Sequence, residues 1–441
     1  MRRSIAGLKN ILVFLLTVIF AFFLNGCVQP VKYTGVTLRC AFIGAGDYEH
    51  IYKNIPEFEK QTGIQVEIIY KSNHFELDKK MKMDFEAGTV DYDVISDHSS
   101  FFSQYIDYLE PLNAYFTAGD LSDFLPRLIN AGKKNGELYL MPRHADISCL
   151  HYSTDLFNDP KVRLEFKARF FRELTVPNTW DDFKEVALFF NSPPAIWGTQ
   201  FAGKEEALTG RFYEILVSNG GEFIDSMGNA AFNSPAGIKA ATMLHDLYKA
   251  GAMPPDMTNY LWDDLAKNFQ SGKIAITPEW YSYYSYFQDE KNSSVAGTFD
   301  IAPLPMGDAG IRSGWGGIHG FSITKVSKHK REAAELIRFL TSKDNSFIEG
   351  KIGYLPVRNS VWDRLINDAS VSSDPFAKKR YVIAKEQLSE DFFTPPLIPE
   401  WIPASNILFP NLQKIITGEI DIKTGLDDSA EQVNKLLAEY S

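Results

Sequence analysis

The chain has 441 residues, of which 45% are apolar and 23% are charged. This length and composition are typical of a globular protein with two or three domains, and they exclude a fibrous, wholly disordered or multi-span membrane protein. The formal charge of −11 opposes binding along phosphate backbones, so we expect no nucleic-acid partner. Three cysteines are too few for a disulfide framework, and a core of this size needs none.

The N-terminus predicts export and lipid anchoring. Residues 1–26 carry three basic residues and no acidic one, and their apolar run, 11–24, is shorter than the about 20 residues that span a bilayer. The run ends in Leu-Asn-Gly-Cys27, which resembles the bacterial lipobox. We therefore expect a lipoprotein signal peptide over 1–26, lipidation of Cys27 and a tether over 27–35.

The first elements of the remaining chain alternate between strands and helices. The pattern predicts strands over 36–43, 64–70 and 92–96, separated by helices over 48–62 and 75–87. This alternation is typical of a parallel α/β sheet. Ligands bind such sheets beyond the carboxyl ends of the strands, which here are the loops 44–48 and 97–101.

The later segments continue in the same α/β style, without a fixed repeat or a linker that would separate domains. We expect a long strand over 144–152 and a helix capped by Thr179. The charged segment 160–174 is interpreted as a solvated amphipathic helix. Further helical patterns cover 210–218, 234–250, 260–270, 330–341 and 407–417.

Motifs for metal-dependent hydrolysis, nucleophile elbows and phosphate loops are absent from the sequence, and Gly44-Ala45-Gly46 lacks the third glycine of a dinucleotide fingerprint. We therefore expect no catalytic residue and no cofactor. His144 and Asp146 alternate on their strand with Cys149 and His151, so the two pairs point to opposite faces and predict no metal site. Cys40 and Cys149 are interpreted as two separately buried thiols.

Aromatic side chains carry more functional information than the charged ones. Trp280 follows the predicted short strand 272–276, at a position where a strand gives way to a helix. Flat indole faces suit the C–H faces of sugars, whose hydroxyls seek carboxylates. Asp47, Asp97 and Asp146 lie in or beside strand-end loops and are the candidate carboxylates.

Together these segments resemble the family 1 extracellular solute-binding proteins of bacterial ABC importers, which include maltose- and oligosaccharide-binding proteins. The resemblance covers nearly the whole mature chain. Its matching phrases are FEKQTGIQV (58–66), YDVI (92–95), 142–157 ending in STDLF, PNTWDDF (177–183), FQSGKIA (269–275), PLP (303–305), SKHK (327–330) with Ala333-Ala334 and Phe339-Leu340, and GYLP (353–356).

The resemblance implies a periplasmic-binding-protein-like α/β fold, with two α/β lobes joined by a multi-strand hinge and the ligand cleft between them. The crossings are expected near 143–148, 301–306 and 347–355. The implied N-terminal lobe comprises 36–145 plus 304–348. The implied C-terminal lobe comprises 146–303 plus 349–441.

The family's cleft positions map onto this sequence by local motif. The implied ligand-binding residues are Asp47, Asp97, His98, Asp146, Tyr213, Trp280, Trp315, Gly317 and Trp401. The sequence departs from the family after its Asp-Val-Ile strand, where many members have an aromatic residue and this chain has Asp97-His98. A stacking platform at that position is therefore in question.

The implied function is capture of a carbohydrate, most simply a neutral oligosaccharide, and its delivery to the permease subunits of an ABC importer. We expect a monomeric, non-enzymatic protein that is lipid-anchored on the outer side of the bacterial cytoplasmic membrane or on the cell surface. Alternatives that use the same fold are a polyamine-binding protein, an iron-binding protein that uses Tyr283 and Tyr284, and an adhesin or sensor. A glycoside hydrolase with two carboxylates is the alternative from another class.

Overall fold

A computed structural model describes residues 33–44, 46–368 and 375–440. The predicted signal peptide, Cys27 and the side chain of Asp47 lie outside this description. Within it, the strands are β1 (Thr37–Ile43), β2 (Gln65–Ser72), β3 (Val94–His98), β4 (Lys133–Lys134), β5 (Glu137–Leu138), β6 (Met141–Ser153), β7 (Ile276–Trp280), β8 (Phe299–Ala302), β9 (Gly314–Ile323), β10 (Leu355–Pro356) and β11 (Phe392–Phe393).

Helices surround these strands. The α-helices are Ile55–Thr62, His74–Ala87, Ala118–Leu121, Pro126–Ala131, Thr154–Asn158, Pro160–Phe170, Trp180–Phe190, Glu205–Ser218, Pro235–Lys249, Trp262–Gln270, Tyr284–Phe287, Lys330–Leu340, Lys343–Lys351, Asn359–Ile366, Pro375–Glu390, Trp401–Thr417 and Ile422–Tyr440. Short 3₁₀ helices cover Gly46–Asn54, Phe102–Tyr108, Leu112–Ala114, Met257–Asn259 and Tyr281–Tyr283.

The main sheet has the strand order β10-β6-β9-β3-β1-β2. Strand β1 pairs in parallel with both β2 and β3, which confirms the parallel sheet predicted for the first elements. Strand β9 pairs antiparallel with β3 and β6, so the sheet as a whole is mixed. The α/β fold class expected from the sequence is therefore confirmed.

Strand β6 is shared by two parts of the sheet. Residues 141–147 pair with β9, whereas residues 148–153 pair with β7 and β8. Two large clusters of buried apolar side chains accompany these two parts, one that includes Phe42 and Phe321 and one that includes Phe183 and Phe212. A single continuous strand thus connects the layers built around both cores.

Two predicted element boundaries were wrong. The predicted helix 48–62 is a 3₁₀ helix followed by the α-helix Ile55–Thr62, since Pro56 has no N–H for the preceding turn. The predicted strand 272–276 is displaced toward the C-terminus, because residues 276–280 are those that pair with β6. Trp280 is consequently the last residue of strand β7 rather than the first residue after it.

Two other predictions are confirmed. Cys40 and Cys149 are both free and buried. The charged segment forms the helix Pro160–Phe170, in which only Phe166 is buried. Phe166 packs against Phe189 at the edge of the second core, whereas the charged side chains face solvent and nearby carboxylates, as in the ion pair between Lys167 and Glu173.

A buried ion pair fixes strand β6 to the helix Lys343–Lys351. Arg143 donates from Nε to Glu349 Oε1 at 2.9 Å, and both side chains are only 3% exposed. The same guanidinium donates from Nη2 to the carbonyl of Tyr48 at 2.9 Å. Burial raises the pKa of Glu349, while Arg143 opposes that shift. The pair therefore holds three separate chain segments together at one point.

Replacing Arg143 with Met should destabilise the protein by about 3–5 kcal/mol, because Glu349 would be left buried without its partner. Urea unfolding followed by circular dichroism measures this loss. The matched control is Arg163→Met, which breaks an ion pair with Glu173 whose side chains are 44% and 52% exposed and should cost less than about 1 kcal/mol. Equal losses in the two variants would contradict the structural role of Arg143.

Candidate functional site

A cavity of about 240 Å³ lies where strands β3, β6, β7 and β9 approach one another. Its lining is predominantly aromatic, with a few polar groups. The lining residues are Tyr48, His74, Phe75, His98, Ser100, Phe101, Asp146, Glu206, Trp262, Trp280, Trp315, Gly316, Gly317 and His319. None of these described lining residues is Lys or Arg, so the charged groups on the wall are carboxylates.

Three indole rings form one side of the cavity, and we call Trp262, Trp280 and Trp315 the tryptophan cluster. Their ring centroids lie 5.1–5.7 Å apart, and the rings are inclined to one another by 53–72°. Such tilted contacts stabilise aromatic groups against each other. The cluster therefore offers a rigid apolar surface whose ring faces and edges point in several directions.

The tryptophan cluster depends on a glycine in the helix Glu205–Ser218. A Cβ atom on Gly210 would lie 2.0 Å from the ring of Trp315, well inside van der Waals contact. Glu214, one turn further along the helix, accepts the backbone N–H of Trp315 at 2.9 Å. Gly210 and Glu214 together dock the beginning of strand β9 against the helix.

Two carboxylates reach the cavity from different segments. Asp146 accepts the N–H groups of Ile147 and Ser282 through Oδ1 at 2.9 and 3.3 Å, and burial raises its pKa to about 6. Glu206 accepts the indole N–H of Trp401 at 2.6 Å, and burial raises its pKa as well. These contacts fix the orientation of both carboxylates, which suit them to accept hydrogen bonds from a ligand's hydroxyls.

Four of the eight histidines pack together beside the cavity, and three of them, His74, His98 and His319, line it. We call His74, His98, His144 and His319 the histidine cluster. Their neighbouring ring centroids lie 4.5–5.3 Å apart, and the hydroxyl of Tyr48 lies 3.2 Å from Nε2 of His319. Burial is the main cause that lowers the pKa of each, to about 4 for His74. These rings are therefore neutral hydrogen-bonding groups at pH 7.

The structure brings five of the predicted site residues to the cavity wall. These are His98, Asp146, Trp280, Trp315 and Gly317. A contact with ligand remains a prediction for each of them. Gly317 is required by close packing, because a Cβ atom there would lie 2.2 Å from Nε2 of His98.

Three predicted site residues do not line the cavity. Asp97 is 4% exposed and lies on the opposite face of β3 from His98, where it accepts a hydrogen bond from Tyr105 at 2.9 Å. Burial raises its pKa to about 8. Tyr213 packs in the second core against Trp401, with ring centroids 5.9 Å apart. Trp401 is 1% exposed, and it positions Glu206 rather than facing the cavity.

Several lining residues were not predicted from the sequence, including Tyr48, His74, Glu206, Trp262 and His319. A usable signal existed for two of them. Tyr48 lies in the loop 44–48 that follows β1, and His74 follows the carboxyl end of β2, where the same strand-end rule applies. Glu206, Trp262 and His319 reach the cavity only through contacts between distant segments, so no local pattern marks them.

The model of the family described as bacterial extracellular solute-binding protein matches residues 45–346. The chain belongs to this family. The resemblance drawn from the sequence is thereby confirmed, and members of the family are binding proteins rather than enzymes. The match includes the strands β3, β6, β7 and β9, which line the cavity.

Curated relatives cover most of the chain at low identity. A putative binding protein of Brucella abortus is 23% identical over 420 residues, which cover 90% of this chain and 95% of that protein. A probable ABC transporter-binding protein of Deinococcus radiodurans is 26% identical and covers 69% of this chain and 71% of its own length. The arabinooligosaccharide-binding protein of Halalkalibacterium halodurans is 23% identical over 59% of this chain and 57% of its own length.

Solved structures share the fold. Maltose-bound T. maritima MalE3 superposes with a TM-score of 0.75 at 25% identity, covering 91% of this chain and 100% of that protein. A solute-binding protein of Agrobacterium vitis with bound D-mannitol gives a TM-score of 0.71 at 22% identity, with 92% and 99% covered. The fold is therefore that of the MalE-like binding proteins.

Two further findings concern the described residues. Across 33–44, 46–368 and 375–440, no group of three or more His, Cys, Asp or Glu side chains is placed to hold a metal ion. Over the same ranges no helix is both long enough and apolar enough to cross a bilayer. The rings of the histidine cluster accordingly pack against one another without forming a metal site.

Gly210→Ala should destabilise the protein by about 1–3 kcal/mol, because the added methyl group overlaps the ring of Trp315. Helix propensity alone predicts the opposite sign, since Ala is favoured over Gly inside a helix. Thermal unfolding measures the change, with Gly119→Ala as the control, where the nearest atom would be 3.5 Å away. A Gly210→Ala variant as stable as the wild type would contradict the packing of the tryptophan cluster.

The neutral state of His74 predicts a pH dependence of stability. Its pKa is about 4 in the folded protein, against an ordinary value of 6.5, so the unfolded chain takes up the proton first as the pH falls. The wild type should therefore lose about 2–3 kcal/mol more than His74→Asn between pH 6.5 and 4. Urea unfolding across this range tests the sign, and parallel pH profiles for the two proteins would show that His74 is not held neutral.

Proposed function

We propose that the cavity binds a neutral carbohydrate or polyol. The observation that carries the proposal is a wall made of the tryptophan cluster, two oriented carboxylates and neutral imidazoles, without Lys or Arg among its described residues. Indole faces stack on the C–H faces of sugars, while carboxylates and imidazoles accept or donate hydrogen bonds to hydroxyls. An anionic ligand would meet two carboxylates and no compensating cation on this wall.

The relatives support this ligand class. Among them are proteins named for binding arabinooligosaccharides, galactooligosaccharides and mannitol. A structural relative contains maltose. Both cyclic sugars and an open-chain polyol occur in this group, so the support extends to polyhydroxylated neutral solutes as a class.

The proposal also includes the working context of the protein. It acts outside the cytoplasm, anchored by lipid at Cys27, as a monomer that delivers its ligand to an ABC import permease without chemical conversion. The lipobox-like sequence before Cys27 supports the anchor. The relative named as a probable ABC transporter-binding protein supports the partnership with a permease.

Two lobes that close over the ligand are part of the same proposal. The contacts of the return segment support a boundary later than residue 304. Met306 forms a bridge with Thr179, and the N–H of Trp180 donates to the carbonyl of Met306 at 3.0 Å, so this segment packs with the second core. We place the return to the first lobe at the beginning of strand β9.

A thermal-shift panel of mono- and oligosaccharides, sugar alcohols, phosphorylated sugars and polyamines tests the ligand class. A ligand at 100 times its dissociation constant stabilises the fold by about 2.7 kcal/mol, which the method detects. We expect stabilisation by neutral sugars or sugar alcohols. Stabilisation by phosphorylated sugars or polyamines alone, or formation of a hydrolysis product during incubation, would contradict the proposal.

Asp146→Asn should weaken binding of the stabilising sugar about tenfold or more, because hydrogen bonds to a charged acceptor are replaced by neutral ones. Isothermal titration calorimetry measures the dissociation constant. Asp181→Asn is the matched control, since the Asp181 side chain is 79% exposed and does not line the cavity. Unchanged affinity in Asp146→Asn would remove this carboxylate from the ligand site.

A further inference from the structure

We propose that Arg211, which lies behind the tryptophan cluster, makes the cavity select neutral ligands over positively charged ones. Two carboxylates and three indoles on a cavity wall would otherwise favour a protonated amine, through ion pairing and cation–π attraction. The inference concerns ligands such as amino sugars and polyamines, which share size or hydrogen-bonding groups with neutral sugars. It assigns the discrimination to a residue that does not touch the ligand.

Arg211 contacts the indoles from the protein side. Its side chain is fully buried and is not among the residues that line the cavity. The guanidinium carbon lies 5.0 Å from the ring centroid of Trp262 and 5.5 Å from that of Trp280. Both distances are within the range of a cation–π interaction. Two of the three indoles therefore already interact with a cation on the side away from the ligand.

Arg211 contacts buried polar groups as well as these rings. Nη1 donates to Glu214 Oε2 at 3.0 Å and to the hydroxyl of Ser148, whereas Nη2 lies 3.7 Å from Glu279 Oε1. Nε and Nη2 have no hydrogen-bond partner. Burial raises the pKa of both Glu214 and Glu279, to about 8 for Glu279, while Arg211 opposes both shifts. Glu214 also accepts the backbone N–H of Trp315, away from the rings that Arg211 contacts.

A second cation on the cavity side of Trp262 or Trp280 would have to share the π density that Arg211 already polarises. The two charges would lie about 10 Å apart across a ring, in an interior of low dielectric constant where little screening occurs. The C–H face of a neutral sugar carries no net charge and avoids this repulsion. The arrangement therefore preserves stacking of sugars while it reduces cation–π attraction.

Fluorescence quenching measures this effect without a ligand. Caesium and iodide at constant ionic strength report how cations and anions approach the partly exposed tryptophans, which are Trp262 and Trp280 on the cavity wall and Trp197 away from it. Trp180, Trp315, Trp362 and Trp401 are at most 3% exposed, and Trp197 contributes equally in every variant. In the wild type, the ratio of caesium to iodide quenching should be lower than the ratio for free N-acetyltryptophanamide, although the protein carries a net charge of −11. A ratio equal to or higher than that of the free compound would overturn the proposal.

The decisive variant is Arg211→Met combined with Glu214→Gln, which removes both charges of the pair and keeps an acceptor for the N–H of Trp315. The ratio of caesium to iodide quenching should rise about threefold relative to the wild type. Arg211→Lys retains the charge and should keep the wild-type ratio. An unchanged ratio in the double variant would overturn the proposal, and if that variant does not fold, the wild-type ratio relative to N-acetyltryptophanamide decides.

Arg172→Met is the matched control. Its guanidinium carbon also lies 5.0 Å from an aromatic centroid, that of Phe166, but on the surface helix and away from the cavity. This variant should leave the quenching ratio unchanged.

The proposal rests on the carbohydrate function for the identity of the ligand. The quenching experiment needs no ligand, so the two proposals can fail separately. A sugar panel without binding would contradict the carbohydrate function, whereas an unchanged quenching ratio in the double variant would contradict the role of Arg211.

Discussion

One face of strand β6 carries the interactions on which the cavity depends. Side chains on a strand alternate, so His144, Asp146 and Ser148 share a face. His144 belongs to the histidine cluster, Asp146 reaches the cavity, and Ser148 accepts a hydrogen bond from Arg211 behind the tryptophan cluster. Because β6 also pairs with strands on both sides of the fold, a shift of its register would displace all three positions together.

The cavity wall combines acidic, neutral and apolar groups, and its carboxylates are hydrogen-bonded to donors from the protein. Asp146 and Glu206 are each oriented by donors from the protein. The imidazoles of the histidine cluster stay neutral mainly because they are buried, and a charge on His144 or His319 would also face a neighbouring imidazole and Arg143. Arg143 itself is paired with Glu349. A polyhydroxylated neutral ligand fits this balance better than a strongly charged one.

Local sequence patterns predicted the parts of the structure that depend on neighbouring residues. Strand β1, the helix His74–Ala87 and the helix Trp180–Phe190 follow from apolar periodicity and from turn and capping residues. Family motifs placed Asp146, Trp280 and Trp315, all of which line the cavity. The motifs did not reveal that strand alternation turns Asp97 away from the cavity, on the opposite face of β3 from His98. It could not reveal the histidine cluster, whose rings come from four segments separated by tens to hundreds of residues.

A crystal structure of the protein with the neutral sugar or sugar alcohol that stabilises it most would test the central claim most directly. The account predicts that the ligand stacks on the tryptophan cluster and donates hydroxyl hydrogen bonds to Asp146 and Glu206. Arg211 should remain behind Trp262 and Trp280 without contacting the ligand. A ligand bound elsewhere, or one held in this cavity without contact to either carboxylate, would contradict the account.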